Sequence, residues 1–360
     1  MDTRVILPNL PQAAKLLFIR LRSLGDTILS TPLYTALKMW RPDLRISVLV
    51  EQPYDQILLD NPDLESVLSI PGEDIKGAGR WAVRLKTIQT IRAGEFDCCI
   101  NLHGGSTSSL LTGLSGSPYR VGLESFRYGF CYNVRIEPPV LPDRGSKLHT
   151  VQYQNEWLQA LGMPLGDIPP MRLIPNESLE MEVARKLAGT GINLRSSYAV
   201  IQPTSKFLTK EWSPGGFAEI SDFLKLKLGC QTLLVGGPNE DAKLRRVSEL
   251  CHYQTAGLSN LSLPELVWVI GKARLFIGND SGPTHLAAAL QVPLVVLFGS
   301  SDSRVWYPWK VRYTIVQNPF ECNPCPGYRC LVYDKPKCIL SITAAQVKSA
   351  IERLLDETSQ

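Results

Sequence analysis

The chain has 360 residues, 44% of them hydrophobic, which is enough to bury one large or two medium cores, and at this length two is the better expectation. Lys and Arg (38) nearly balance Asp and Glu (34), and the resulting net charge of +4 calls for no nucleic-acid partner. Any basic patch must therefore be local.

In chain order, the N-terminal MDTRVILPNLPQAAKLLFIRLR carries one short apolar run that Arg20 and Arg22 close at once. That pattern fits neither a signal peptide nor a spanning helix, so the cytoplasm is the expected compartment. KLLFIRL, RISVLVE, DCCINL and YRVGL read as strands, with helices near 32–40, 80–92, 105–114 and 148–161. From about residue 165 the text GMPLGDIPPMRLIPNES loses periodicity and gains Pro and Gly, as an interdomain linker would. A second series follows. YAVIQP, QTLLVGG, YQTAG, RLFIGN and PLVVLFG are apolar strand runs, separated by helical segments near 180–188, 215–227, 240–251, 263–271 and 282–290. The expected fold is α/β, with two doubly wound, parallel-sheet domains at residues 1–170 and 171–342. The last helix, about 343–360, is expected to pack back on the first domain.

In such sheets ligands bind outside the carboxyl ends of strands, where the first turn of the next helix offers unpaired N–H groups. Four junctions carry suitable residues. After the first strand, Asp26 can act as a general base toward a substrate hydroxyl or can cap the next helix, and Pro32 requires that helix to bend or to start nearer Ser30. After YAVIQP, Thr204, Ser205, Lys206 and Lys210 suit a diphosphate, although a single loop lysine is ordinarily just solvated. After LLVGG, Glu240 can bind ribose hydroxyls or simply favour the helix dipole. In FIGNDSGPTHLAAAL, Asp280 or Ser281 can cap a helix, Gly282 admits a close ligand and Pro283 suits the first turn. Ser281 echoes a protease GDSGG turn, but the surrounding parallel α/β pattern and His285, four residues along the same helix, set acyl transfer aside.

Together these stretches resemble one family. RLRSLGDTILSTPLYTALK, INLHGG, YRVGL, TKEWSPGGFAEI, LLVGGPNE and LSLPELVWVIGKARLFIGNDSGPTHLAAALQVPLVVLFGSSD are similar to the lipopolysaccharide heptosyltransferases of glycosyltransferase family 9, from about residue 15 onward. The resemblance implies the GT-B fold, with two facing Rossmann-like domains, an acceptor-binding N-terminal one and a donor-binding C-terminal one. It further implies an inverting glycosyltransferase that moves a heptose from a nucleotide-diphosphate donor, ADP-heptose, to a lipopolysaccharide core or similar glycolipid. By the same resemblance Asp26 is the base and Lys210 neutralises the leaving diphosphate. Thr204 and Ser205 contact phosphate, Glu240 holds the ribose and Leu261 lies by the nucleobase. Asp280, Ser281, Gly282 and His285 hold the diphosphate and sugar.

No metal is needed for such chemistry: lysine and helix-end N–H groups stabilise charge growing on the diphosphate as the acceptor hydroxyl attacks the anomeric carbon. His103, after DCCINL, is a candidate acceptor contact, and His149, opening a later helix, a weaker one. The lipid-anchored acceptor implies a peripheral position at the cytoplasmic face of the inner membrane. Arg80, Arg84, Lys86 and Arg92 in RWAVRLKTIQTIRAG would then meet anionic headgroups, unless this is an ordinary surface helix. Nine cysteines, an odd number, argue for thiols or metal ligands over a disulfide framework. Cys322, Cys325, Cys330 and Cys338 are candidates for a structural zinc or iron, the alternative being a reduced or disulfide-linked loop. Two other functions share the pattern: a nucleotide-sugar epimerase of the same architecture, and a non-catalytic sugar-nucleotide binding protein.

Overall fold

The computed structural model describes residues 5–72, 78–139, 141, 143, 145–194, 196–325 and 327–356, and its chain divides into units at Leu173/Ile174, against an expected division at residue 170. In the first unit the elements are β1 (Lys15–Ile19), α1 (Leu24–Leu29), α2 (Thr31–Trp40), β2 (Arg45–Glu51), β3 (Ser66–Ile70), α3 (Ala78–Ala93), β4 (Cys98–Asn101), α4 (Ser106–Gly113), β5 (Tyr119–Leu123), β6 (Val134–Ile136) and α5 (Thr150–Ala160). All strand pairs are parallel, in the order β3-β2-β1-β4-β5-β6. The central strands are continuous apolar runs because helices cover both sheet faces: Leu16 through Ile19 are all fully buried.

The second unit repeats the plan. Its elements are α6 (Glu180–Lys186), β7 (Tyr198–Gln202), α7 (Pro214–Leu228), β8 (Gln231–Val235), α8 (Asp241–Ser248), β9 (Thr255–Leu258), α9 (Leu263–Gly271), β10 (Leu275–Asn279), α10 (Gly282–Ala289), β11 (Leu294–Leu297), α11 (Ser303–Trp306), β12 (Tyr313–Val316), α12 (Lys337–Leu340) and α13 (Ala344–Asp356). Its sheet is also parallel, in the order β12-β11-β10-β7-β8-β9. In both sheets the strand order reverses beside the first strand, between β1 and β4 and between β7 and β10. That is where an open parallel sheet opens a crevice at its carboxyl edge.

Local chemistry explains the boundaries. Ser213 caps α7 by accepting from Gly216 N (3.1 Å), Pro214 fills the first turn, and Gly229 takes the left-handed conformation that ends the helix. Ser262 and Glu265 form a reciprocal capping box on α9. Pro32 sits in the first turn of α2, which starts at Thr31, beside Ser30, while α1 is a separate short helix that stops at Leu29.

The last helix belongs to the second unit: α13 lies against α7, β11 and β12, burying Val347, Ala350, Ile351 and Leu354 in one core with Phe217 and Leu224. These four residues form a stripe at helical spacing, and α7, β11 and β12 supply the apolar surface that covers it.

Candidate active site

In the second unit the crevice is built on amides that end apolar strands. Gln202, at the end of β7, donates through Nε2 to Thr204 Oγ1 (2.8 Å) and accepts through Oε1 from Ser281 Oγ (2.9 Å). Asn279, at the end of β10, donates to Thr204 O (3.3 Å) and accepts from Trp212 N (3.1 Å). These bonds tie the loops after β7 and β10 together across the switch point and leave few buried polar groups unsatisfied.

On this base stands an ion pair. Lys210 Nζ lies 2.8 Å from Asp280 Oδ2, with the Asp280 side chain 5% exposed and that of Lys210 21% exposed. Lys210 ends the 3₁₀ turn Leu208–Lys210, and its ammonium sits 5.8 Å from the centre of the Phe207 ring. Asp280 directly precedes α10, whose first turn includes Gly282 and Pro283. Ser281 occupies the N-cap position, but its hydroxyl bonds Gln202 and does not cap the helix. This position and bond do not suit a nucleophile. His285 is buried in the second turn of α10.

The remaining donor-site predictions separate. Glu240 stands at the N-cap of α8, half-buried, and its Oε2 accepts from Gly237 N and from Thr204 Oγ1 (both 2.7 Å). Thr204 is 1% exposed, and its hydroxyl accepts from Gln202 and donates to Glu240. Ser205 is buried, with its hydroxyl accepting from Phe207 N (3.3 Å) and its own N–H donating to Glu211 Oε2 (3.1 Å), an oxygen that also takes Lys243 Nζ (2.6 Å). Lys206 is exposed, and Leu261 is half-buried just before the cap of α9. Asp280 is an acceptor-only carboxylate, and Lys210 is its partner here.

In the first unit Asp26 is the third residue of α1, and its Oδ2 accepts from Ser23 N (3.1 Å) and Ser23 Oγ (3.0 Å). Ser23 holds the cap position that a purely structural reading would give to Asp26. Asp26 Oδ1 lies 3.8 Å from the buried Arg20 guanidinium. Burial pulls the Arg20 guanidinium down from its ordinary value, while Asp26 opposes the shift. His103 follows β4 in a loop that Asn101 folds by accepting from His103 N (2.9 Å) and Gly104 N (3.2 Å). Burial and then the Arg20 and Arg22 cations push the His103 imidazole below its ordinary value, against the Arg22 carbonyl and Asp26, so it is a neutral donor–acceptor at pH 7.

A cleft of about 290 Å³ opens beside these groups, lined by Arg22, Glu51, Arg84, His103, Ser106 and Thr107 among others. Arg22 Nε lies 3.3 Å from Glu51, and Arg84 donates to Thr107 Oγ1 (2.8 Å) and stacks on Trp81. The basic-helix expectation changes accordingly. Arg84 faces the cleft, the Arg80 side chain lies outside the described residues, and the exposed face of α3 carries Trp81 and Leu85 with Lys86 and Arg92. His149 is a structural cap, 1% exposed, whose Nδ1 accepts from Val151 N (3.1 Å). A wider concavity of about 600 Å³ beyond β11 and β12 borders none of the predicted donor residues.

The four candidate metal ligands are free thiols, Cys338 buried and the other three half-buried. Burial raises the Cys338 thiol, and Cys325, Cys322 and Cys330 add to the shift. Four thiols are a donor set suited to zinc or iron, yet among the described residues no three His, Cys, Asp or Glu side chains gather closely enough to hold an ion.

The sequence profile of glycosyltransferase family 9 (heptosyltransferase) matches residues 84–335. The chain belongs to this glycosyltransferase family. It is 31% identical over 348 residues to lipopolysaccharide heptosyltransferase 3 of Escherichia coli strain K12, covering 92% of this chain and 96% of the relative. Among solved structures, a family 9 glycosyltransferase of Veillonella parvula superposes with a TM-score of 0.81 at 22% identity, covering 97% and 99% of the two chains. The E. coli heptosyltransferase WaaC with ADP-2-deoxy-2-fluoro heptose gives 0.70 at 21% identity, covering 94% and 99%. Two Rossmann-like units with these structural relatives make the family 9 chain a GT-B protein.

Gln202, Asn279, Asn101, Arg20 and Arg22 escaped the sequence reading. One signal was present for the three amides: each ends an otherwise apolar strand run, YAVIQ, LFIGN and CCIN.

Proposed function

We propose that this glycosyltransferase moves a heptose from ADP-heptose to a lipopolysaccharide core, with inversion at the anomeric carbon. The observation that carries the reading is the Lys210–Asp280 pair at the head of α10, a cation held at a sheet switch point where a diphosphate can displace its carboxylate partner. Family membership and the relatives' names supply the donor and acceptor classes.

In the proposed reaction the acceptor oxygen bonds the anomeric carbon as the bond from that carbon to the diphosphate oxygen breaks. The acceptor proton passes to Asp26, whose two bonds from Ser23 fix its direction. Negative charge gathers on the departing ADP, where Lys210 and the first turn of α10 receive it. One preorganised donor of this kind lowers such a barrier by about 3 kcal/mol. Glu240 takes the ribose hydroxyls, and Asp280 turns to the hydroxyls of the sugar. His103, kept neutral, offers a hydrogen bond to the acceptor without adding charge beside Arg20 and Arg22.

We also infer peripheral binding at the cytoplasmic face of the inner membrane. No described helix is long and apolar enough to cross a membrane, and the outer face of α3 sets the exposed Trp81 and Leu85 among the cations Lys86 and Arg92.

The test is incubation of purified protein with ADP-heptose and heptose-deficient lipopolysaccharide. ADP release matched by an acceptor mass gain of one heptose is expected. A sugar isomerised with no acceptor gain would identify an epimerase, and donor binding without turnover a non-catalytic binding protein.

A further inference from the structure

The cysteine-bearing segment after β12 does more than connect: it closes over the turn that carries Lys210. Asn323 Nδ2 donates to Gly299 O (2.8 Å), and Cys325 N donates to Ser300 O (2.9 Å). Ser300 N in turn donates to Thr209 O (3.3 Å), and Ser300 Oγ donates to Thr209 Oγ1 (3.0 Å). The Thr209 hydroxyl completes the relay by donating to Gly327 O. Tyr328 meets Phe207, the residue that precedes this turn, edge-on with ring centres 5.1 Å apart.

Thr209 and Ser300 are 1% and 0% exposed, so each hydroxyl is fixed by partners that water cannot replace. Two glycines make the approach possible. A Cβ at Gly299 would strike the Thr209 carbonyl. Gly327 adopts φ +85°, and a Cβ there would stand 4.0 Å from Lys210 Cε and 3.5 Å from Ser300 Oγ. The segment thus passes against the stem of the lysine.

We propose that Thr209 and Ser300 are positioning residues that hold Lys210 on the leaving group through the Cys322–Cys338 segment, so that this segment belongs to the transfer machinery. The proposal rests on the role assigned to Lys210 above. A lysine on four rotatable bonds stabilises a developing charge only where its backbone is fixed, and a displacement of about 1 Å can cost about 100-fold in rate. Thr209 adjoins Lys210 in the chain and touches no reacting atom in this arrangement. Its hydroxyl acts by fixing where the lysine starts.

The experiment compares Thr209→Val, which keeps shape and loses the hydroxyl, with Thr209→Ser, which keeps the hydroxyl, and adds Ser300→Ala as an independent break in the relay. Each is measured for kcat and donor KM with ADP-heptose, and Thr209→Val is repeated in a Lys210→Ala background. We expect Thr209→Val to lower kcat about 10- to 100-fold with donor KM changed less than about threefold, Thr209→Ser to stay within about threefold of the parent, and Thr209→Val to cost less than about twofold once Lys210 is gone. Equal losses in Val and Ser, or an equal loss with and without Lys210, would overturn the proposal. If Lys210→Ala is slow while Thr209→Val and Ser300→Ala match the parent, the positioning role fails and the role of Lys210 stands. If Lys210→Ala retains full kcat, the reading of Lys210 fails and takes this proposal with it.

Discussion

Lys210→Ala separates chemistry from stability, because the same residue serves both. The side chain balances a carboxylate that is 5% exposed, and removing it leaves Asp280 charged and unpaired at the head of α10. Breaking a buried pair from one side costs about 3–5 kcal/mol in general, and the partial exposure of Lys210 brings the expected loss toward about 2–3 kcal/mol. The barrier to transfer should rise by about 3 kcal/mol, or roughly 150-fold in kcat, as one preorganised donor is lost. Adding Asp280→Asn to Lys210→Ala removes the orphaned charge. The double variant should therefore regain most of its urea midpoint and none of its ADP-release rate at saturating donor. If it regains activity along with stability, Lys210 serves only to neutralise Asp280, and the leaving-group role is refuted.

The other predictions are simpler. Asp26→Asn retains an oxygen that can accept from Ser23 but loses the base, so kcat should fall about 100-fold or more with donor affinity by calorimetry unchanged. Because the His103 imidazole is depressed in the fold, the unfolded chain binds more protons below its ordinary value of 6.5, and stability from this group is lost as pH falls below that value. His103→Gln should accordingly flatten the drop in melting temperature between about pH 7 and 5.5, and an unchanged slope would assign that drop to other groups. Native alkylation read by mass spectrometry should reach Cys322, Cys325 and Cys330 well before Cys98 and Cys99, since burial pushes the Cys99 thiol up to about 12 and that of Cys98 well above its ordinary value. Protection of the first three that a chelator reverses would reveal a bound ion at these thiols.

The parts of the fold that could be read in advance were those whose burial is complete. KLLFI, DCCIN, YAVIQ, RLFIGN and PLVVL lie at or beside the sheet centres, where both faces are covered, and their apolar runs carry that fact. The strands missed were β3, β6 and β12, all at sheet edges, short and partly exposed, so none carries the long apolar run of a central strand. The placement of Asp26, Lys210, Glu240 and Asp280 beyond strand ends was legible because each follows an apolar strand run. Which partners the polar groups there find was not legible: the Thr204 hydroxyl bonds Gln202 and Glu240, the latter 36 residues away.

By itself the sequence determined two parallel α/β units, the junctions where chemistry gathers and the family, because strand burial, helix capping and motif spacing are local along the chain. Only the tertiary structure decided that α13 completes the second unit, that Lys210 is paired with Asp280, and that the cysteine segment clamps Thr209. The reason is physical: Lys210 and Asp280 lie 70 residues apart and Thr209 and Gly327 lie 118 apart, and which acceptor a hydroxyl or ammonium finds depends on packing that no local pattern encodes.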